Sequence, residues 1–459
     1  MSSFHLHASS FKDPSGFVFV SGDKIYRQVN TSYATTYQQL MNSGLYQQLV
    51  KQQLLIPHVE ITDNLTQSGN WHVTLLPEFI PHITYPYEWS FDQLKDAALL
   101  TLQVLKTALE YGLILKDATP FNIQFLNGKP VFIDTLSFEK YDEKQPWVAY
   151  RQFCEGFLFP LYLEYYLQTA SQPLQRAYFS GIPATVTAKL LPFKSRWNLG
   201  VWLHVYLQRS VSNSNTTRKY QAQFSKTKLL NLIRHLEQII SKLALSANQR
   251  TTWSNYYEET ILDQAYLQEK EKLFQSMLAG IQVTTALDMG ANDGYFSKLM
   301  AAKNIRVIAT DFDTRCINNL YRYCKQNKVT NILPLIADIA NPSPAMGFAN
   351  AERSAFDERI HAELVTALAL IHHLVISKNI PLPLLAAYFH GIAPLLLIEF
   401  VPKQDPKVQQ MLSGRTDVFD DYNESEFETS FSAFFTIQQK TGISGTHRTL
   451  YLMKKKEVV

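Results

Sequence analysis

Residues 286–294 read ALDMGANDG. An apolar run, 283–289, carries Asp288 near its end, and Gly290, Asn292 and Gly294 follow. Glycines at a strand-to-helix turn let the backbone come close to a ligand. A helix opening at Tyr295 offers unpaired N–H groups to a carboxylate or phosphate. A ribose-binding acid is expected at the end of the next strand, roughly 20 residues on. Asp311 stands there, closing the run IRVIAT. The run after that, ILPLIA, is closed by Asp338, placed to meet an adenine amino group. One glycine-rich turn is a common feature, but three successive strands each closed by an acid are not.

The pattern continues outward. AELVTALAL (362–370) and PLLLIEFV (394–401) are further apolar, strand-like runs, with helix-like segments between most of the five. Strands alternating with helices predict a parallel sheet covered on both faces. The stretch FFTIQQKTGISGTHRTLYLM (434–453) predicts two strands joined by a Gly/Ser turn, an antiparallel hairpin at the sheet edge.

In order, LDMGANDG, TDFD, ADI and VTALALIHHL resemble the motifs of class I S-adenosylmethionine-dependent methyltransferases. The resemblance covers about residues 250–455 and implies an α/β Rossmann-like fold with a seven-stranded sheet, its last strand antiparallel. It places Asp288, Gly290, Asn292 and Gly294 at the methionine end of the cofactor, with Tyr295 and Phe296 beside them. It gives Asp311 and Phe312 to the ribose side, and Asp338 and Ile339 to the adenine. The DxGxNxG form departs from the dehydrogenase GxGxxG and counts against NAD. GFANAERSAFDERIHAELVTALALIHHL and LIEFVPKQDPKV are similar to a bacterial group of methyltransferases related to host-specific nodulation proteins.

Methyl transfer to oxygen or nitrogen is an in-line displacement that needs an aligned acceptor and, for a hydroxyl, a proton acceptor. His372 and His373 lie just past the strand that faces the sulfonium in this fold. Histidine titrates near neutrality and suits a general base. Glu399, within an apolar strand, is the other candidate, as base or as orienter of a histidine, because a carboxylate there needs a partner. The insert 347–359, with Asn350, Glu352, Arg353 and Arg359, is open to a lid, acceptor-loop or plain solvated reading. Trp253, Tyr256 and Tyr257 are candidates to cover the cofactor or to dock a helix.

The N-terminal half carries a second pattern. LILKDATPFNIQFLNGKPVFIDTLSF (113–138) spaces Asp117, Asn122 and Asp134 as a kinase catalytic loop and its metal-binding aspartate are spaced. Upstream, SGFVFVSGDKIYRQV predicts a hairpin turning at Ser21–Asp23, and WHVTLLPEFI another strand. FDQLKDAALLTLQVLKTALEYG predicts a helix ended by Gly112. Over about residues 15–208 this resembles the protein-kinase and aminoglycoside-phosphotransferase superfamily, an α+β fold. Two departures weaken catalysis. Leu115 stands where the family usually has histidine. Lys24 or Arg27 stands in place of the usual lysine, with no glutamate in 31–59 to pair with it. Phosphotransfer with ATP and magnesium, ligand binding alone, and simple turn-and-cap roles stay open for this loop.

The chain has 459 residues, of which 46% are hydrophobic and 18% charged, enough for two or three cored domains. A net charge of +3 supports no broad nucleic-acid surface. Three cysteines, Cys154, Cys316 and Cys324, make no CxxC pair and suit a reducing cytosol, without cysteine-bound metal. No apolar run reaches membrane-span length, and the start lacks a signal-peptide core. The expectation is a cytoplasmic protein with a kinase-like domain, 1–245, and a methyltransferase domain, 246–459. Its cofactor is S-adenosylmethionine and its acceptor a saccharide or small-molecule hydroxyl. The alternatives are a small-molecule or protein kinase and a non-catalytic ligand-binding or interaction protein.

Overall fold

The computed structural model describes residues 4–212, 225–246, 264–414 and 416–457. The polar run 209–220 predicts a loop, but its first residues, 209–212, end the Leu207–Ser212 helix; the rest of it, nearly all of the joint expected at 246–252, and Trp253, Tyr256 and Tyr257 lie outside the described residues. The chain divides into two compact units, 1–248 with 344–354 and 249–343 with 355–459.

The first unit opens with β1 (Phe4–Leu6), β2 (Gly16–Ser21), β3 (Lys24–Asn30), β4 (His58–Ile61) and β5 (Trp71–Pro77). They form one antiparallel sheet in the order β1-β2-β3-β5-β4. The β2–β3 hairpin turns on Gly22 at φ +63°, a left-handed conformation that glycine adopts without strain. The long helix Phe91–Glu110 buries Leu94, Ala97, Leu102, Leu105 and Leu109 on its inward face. Four short strands follow: β6 (Leu113–Leu115), β7 (Ile123–Leu126), β8 (Lys129–Phe132) and β9 (Phe138–Lys140). They pair as β6-β9 and β7-β8. The Asp117–Asn122 loop therefore joins β6 to β7, and Asp134 lies between β8 and β9. The remainder is helical, including the buried Phe159–Leu167 helix and the amphipathic Lys226–Lys242 helix. Strands first and helices after make this the kinase-like α+β fold.

The second unit holds β10 (Thr285–Met289), β11 (Arg306–Asp311), β12 (Ile332–Ile336), β13 (Leu364–Ala367), β14 (Leu395–Phe400), β15 (Phe435–Gly442) and β16 (Thr449–Lys455). Their order is β12-β11-β10-β13-β14-β16-β15. β10 to β14 run parallel, and β16 runs antiparallel to both of its neighbours. This is the seven-stranded Rossmann-like sheet of class I methyltransferases, with its last strand antiparallel. The closing hairpin does reach the edge, but the final strand is interior. Leu450, Tyr451, Leu452 and Met453 of β16 are buried. The edge strand β15 instead exposes Gln438, Gln439 and Lys440, and such polar edges resist pairing with another chain. Strand order reverses direction at β10, and ligands in such sheets bind outside the carboxyl ends of the strands at that point.

Candidate functional site

Asp288 sits next to last in β10. Ser297 Oγ donates to its Oδ2 (2.5 Å) and Thr366 Oγ1 to its Oδ1 (2.6 Å). The carboxylate thus ties the helix Tyr295–Ala301 to β13. Burial pushes its pKa up, against the pull of these two hydroxyls. The turn after β10 is closed from β11, because the N–H groups of Gly290 and Ala291 both donate to the Thr310 carbonyl (2.8 and 2.9 Å). Gly290, Asn292 and Gly294 all take left-handed φ, at +75°, +53° and +78°. A Cβ on Gly294 would lie 2.5 Å from Leu320 Cδ1, so only glycine lets this helix start so close to the Thr314–Asn327 helix.

Asp311 closes β11 beside this turn. Asn292 N–H donates to its Oδ2 (2.9 Å) and Asp313 N–H to its Oδ1 (2.8 Å). Burial raises its pKa to about 6 despite these donors. The next residue, Phe312, is 57% exposed, unusual for a phenylalanine beside a buried acid. Asp338 lies just past β12, with Lys378 Nζ at 3.5 Å, and Ile339 is half-buried. Phe296 packs inward, while the Tyr295 hydroxyl donates to Glu271 (2.5 Å). The structure therefore brings Asp288, Gly290, Asn292, Gly294 and Asp311 into one hydrogen-bonded cradle at the switch point. The cradle fits a ribose-bearing cofactor: its backbone leaves no room for a side chain, and each Asp311 oxygen keeps acceptor capacity beyond one N–H.

Glu399 is placed differently from expectation. It is fully buried in β14, and its hydrogen-bond and ion-pair partners are Tyr266, Lys270 and Arg448, with neither histidine among them. Tyr266 hydroxyl donates to Oε1 (2.9 Å), and Lys270 Nζ lies 2.5 Å from Oε2. Arg448 reaches Oε1 (3.3 Å) while also gripping Asp405 (2.7 and 3.1 Å). Burial alone would raise the Glu399 pKa, but Lys270 and Arg448 outweigh it and hold it below the usual carboxylate value. Two carboxylates and two cations close a buried network, where Glu399 was expected as a base or as the orienter of a histidine.

His372 is fully buried, and among the described residues neither ring nitrogen has a hydrogen-bond partner. Its ring lies 4.1 Å from that of His373. Burial, then His373 and Arg448, push the His372 pKa well below its ordinary value. Burial and the nearby Lys407 lower His373 to about 4. Both imidazoles are therefore neutral at pH 7, the form that accepts a proton.

In the first unit, Ser137 links Asn122 to Asp134, and Asn122 also bonds to Asp117. Asn122 Nδ2 donates to Ser137 Oγ (3.0 Å), and Ser137 Oγ donates to Asp134 Oδ2 (2.5 Å). Burial, then Asp134, raises the Asp117 pKa. Of the two cations proposed on the hairpin, Lys24 is exposed and Arg27 faces the loop. Arg27 Nη2 lies 2.6 Å from Asp134 Oδ1, which also accepts the Leu136 N–H (3.0 Å). A guanidinium thus stands where a divalent cation would need the carboxylate, and these residues do not fit a magnesium site. Within the same unit, Glu352 of the insert pairs with Lys12 (2.7 Å), and the Arg353 guanidinium lies 4.5 Å from the Phe121 ring centroid. Asn350 takes a left-handed φ of +54°. In the second unit Arg359 lies over the Phe356 ring.

Tyr266, Lys270 and Arg448 do not show as a set in the sequence, because the residues they meet lie between 43 and 182 positions away in the chain.

The chain is 34% identical over 460 residues to the nodulation protein NoeA of Rhizobium meliloti (strain 1021), a match spanning 98% of this chain and 96% of that one. The chain belongs to the NoeA family. This agrees with the resemblance drawn from GFANAER and LIEFVPK to bacterial methyltransferases related to nodulation proteins. No family model matches the chain. Solved structures match part of it. The crystal structure of WbdD is 16% identical, covers 43% of this chain and 42% of that one, and gives a TM-score of 0.31. The N-methyltransferase NodS from Bradyrhizobium japonicum WM9, in complex with S-adenosyl-L-homocysteine, is 14% identical, covers 45% and 94%, and scores 0.33. The fold assignment rests on the strand order and direction described above.

Proposed function

We propose that this protein is an S-adenosylmethionine-dependent methyltransferase whose acceptor is a hydroxyl of a saccharide or small metabolite. The observation that carries the reading is the cradle at the switch point, where Asp288, the Gly290–Gly294 turn and Asp311 are locked together. Asp311 would accept from ribose hydroxyls and Asp338 from the adenine amino group. The Gly290–Gly294 backbone and Asp288 would border the methionine end. The cofactor, when bound, supplies an electrophilic methyl group. The chain's own residues then align the acceptor and take its proton. His373, half-buried and neutral beside the exit of β13, is the proposed base, with His372 packed behind it. Glu399 acts at a distance, by holding Lys270 and Arg448 in the wall of the unit. In the first unit, residues 1–245 serve as a ligand-binding or scaffold domain, and the Arg27–Asp134 pair counts against phosphoryl transfer there.

The test is incubation of the purified protein with methyl-labelled cofactor and a bacterial saccharide fraction. Label should enter the saccharide with the wild type and not with Asp288→Ala. Transfer that survives Asp288→Ala would contradict the site.

A further inference from the structure

The segment 189–202 exposes an apolar surface that folding does not use. Phe193, Trp197, Leu199 and Trp202 are 68, 83, 66 and 48% exposed, and Leu190 is exposed beside them. Large apolar side chains held together in water on a folded unit mark a contact surface. The segment is not loose. Asn198 caps the turn by accepting the Val201 N–H (3.2 Å), and Ser195 Oγ lies 3.1 Å from the Tyr206 hydroxyl. Val201, His204 and Val205 are buried, and His204 bonds to Tyr150 (2.6 Å) and His235 (3.1 Å). A Cβ on Gly200 would lie 2.7 Å from Ile239 Cδ1, so the turn is pressed against the Lys226–Lys242 helix. The inward face is therefore filled, and the outward rings are held in place rather than waiting for a core.

Charge tells what the surface fits. Lys189, Lys194 and Arg196 are exposed among these rings, and no Asp or Glu occurs anywhere in 184–212. The Arg196 guanidinium lies 5.1 Å from the Phe193 ring centroid. Tryptophan, phenylalanine and leucine interleaved with lysine and arginine, without acids, is the composition of an interfacial element. Its rings enter the headgroup boundary and its cations meet anionic lipid. Among the described residues no helix is long and apolar enough to cross a membrane, so contact would be at the surface.

We propose that the 189–202 surface docks this protein on an anionic lipid bilayer. The chemistry would bring the chain to acceptors held at a membrane, yet the proposal does not depend on methyl transfer, since no residue of the cradle takes part.

The experiment is flotation of the full-length protein with vesicles of phosphatidylcholine alone or mixed with phosphatidylglycerol, at low and high salt. The wild type should bind the mixed vesicles at least tenfold more than the neutral ones and release them in salt. The Phe193→Ser/Trp197→Ser and Lys189→Glu/Lys194→Glu/Arg196→Glu variants should each lose at least tenfold. The control Lys51→Glu/Lys242→Glu/Lys303→Glu should bind as the wild type does. All replaced side chains are exposed, so melting temperatures and S-adenosylhomocysteine affinity should not change. Absence of vesicle binding, or binding indifferent to the 189–202 variants, overturns the proposal. So does a wild-type dimer that Phe193→Ser/Trp197→Ser converts to a monomer, because the occupant is then a second copy.

Discussion

Two loops in this molecule place aspartates at the ends of short strands, and they have been built to opposite ends. At β10 and β11, Asp288 and Asp311 are held by hydroxyls and backbone N–H groups, all neutral donors. Such donors orient a carboxylate and leave its charge to act on a ligand. Between β8 and β9, Asp134 is held by a guanidinium at 2.6 Å, which cancels its charge locally. The residue spacing of both loops suits a nucleotide-type site. What separates them is the sign of the neighbour, and that neighbour is supplied from elsewhere in the chain.

The largest effect is expected where charge is buried without a second chance. Glu399→Ala would strand Lys270, 2% exposed, and take from Arg448 one of its two carboxylates, Asp405 being the other. Breaking a buried pair by removing one partner costs roughly 3–5 kcal/mol. Urea denaturation should show a loss of that order, and Lys270→Met/Glu399→Leu should recover most of it. A double variant no more stable than Glu399→Ala would show the network to be something other than mutual neutralisation.

Next comes the cradle. Asp288→Ala should weaken S-adenosylhomocysteine binding by about a hundredfold, on the order of 1.5–3 kcal/mol for each charged hydrogen bond disturbed. Unchanged affinity in calorimetry would remove Asp288 from the site. The pH dependence is a finer probe of the same contrast. The Asp311 carboxyl has a pKa of about 6, and ribose hydroxyls bond best to its ionised form. Affinity should therefore be nearly full about one pH unit above the pKa and fall as pH drops through about 6. The fall should disappear in Asp311→Asn, and an equal fall in that variant would assign the proton elsewhere.

The smallest effects should come from the kinase-like loop. Asp117→Asn should leave methyl transfer within about twofold of wild type, a difference of less than about 0.5 kcal/mol. Magnesium should not increase ATP binding by the wild type. Arg27→Met, which frees Asp134, is the variant in which a magnesium dependence could emerge. Magnesium-dependent ATP binding by the unaltered protein would reverse the reading of this loop.

Much of the cradle was legible because it is local. ALDMGANDG puts strand end, turn and helix start within nine residues, and Asp311 follows at the next strand end. The alternation of apolar runs was enough for the parallel sheet. What stayed hidden depends on contacts between distant residues. Tyr266 and Arg448 meet Glu399 across 133 and 49 positions, and Arg27 meets Asp134 across more than a hundred. Lys270 lies in QEKEK, which reads as a solvated helix face until the fold buries it. The interfacial segment was hidden for another reason. The apolar residues of LLPFKSRWNLGVW are spread over several short turns, so no single period says which side faces out.

The central claim is that the β10–β11 cradle binds the methyl-donor cofactor. The most direct measurement is calorimetric titration of the full-length protein and of Asp311→Ala with S-adenosylhomocysteine at pH 7.5. Saturable one-site binding by the wild type, lost or weakened at least tenfold in the variant, is the predicted result. Equal affinity in both proteins, or no binding by either, would contradict it.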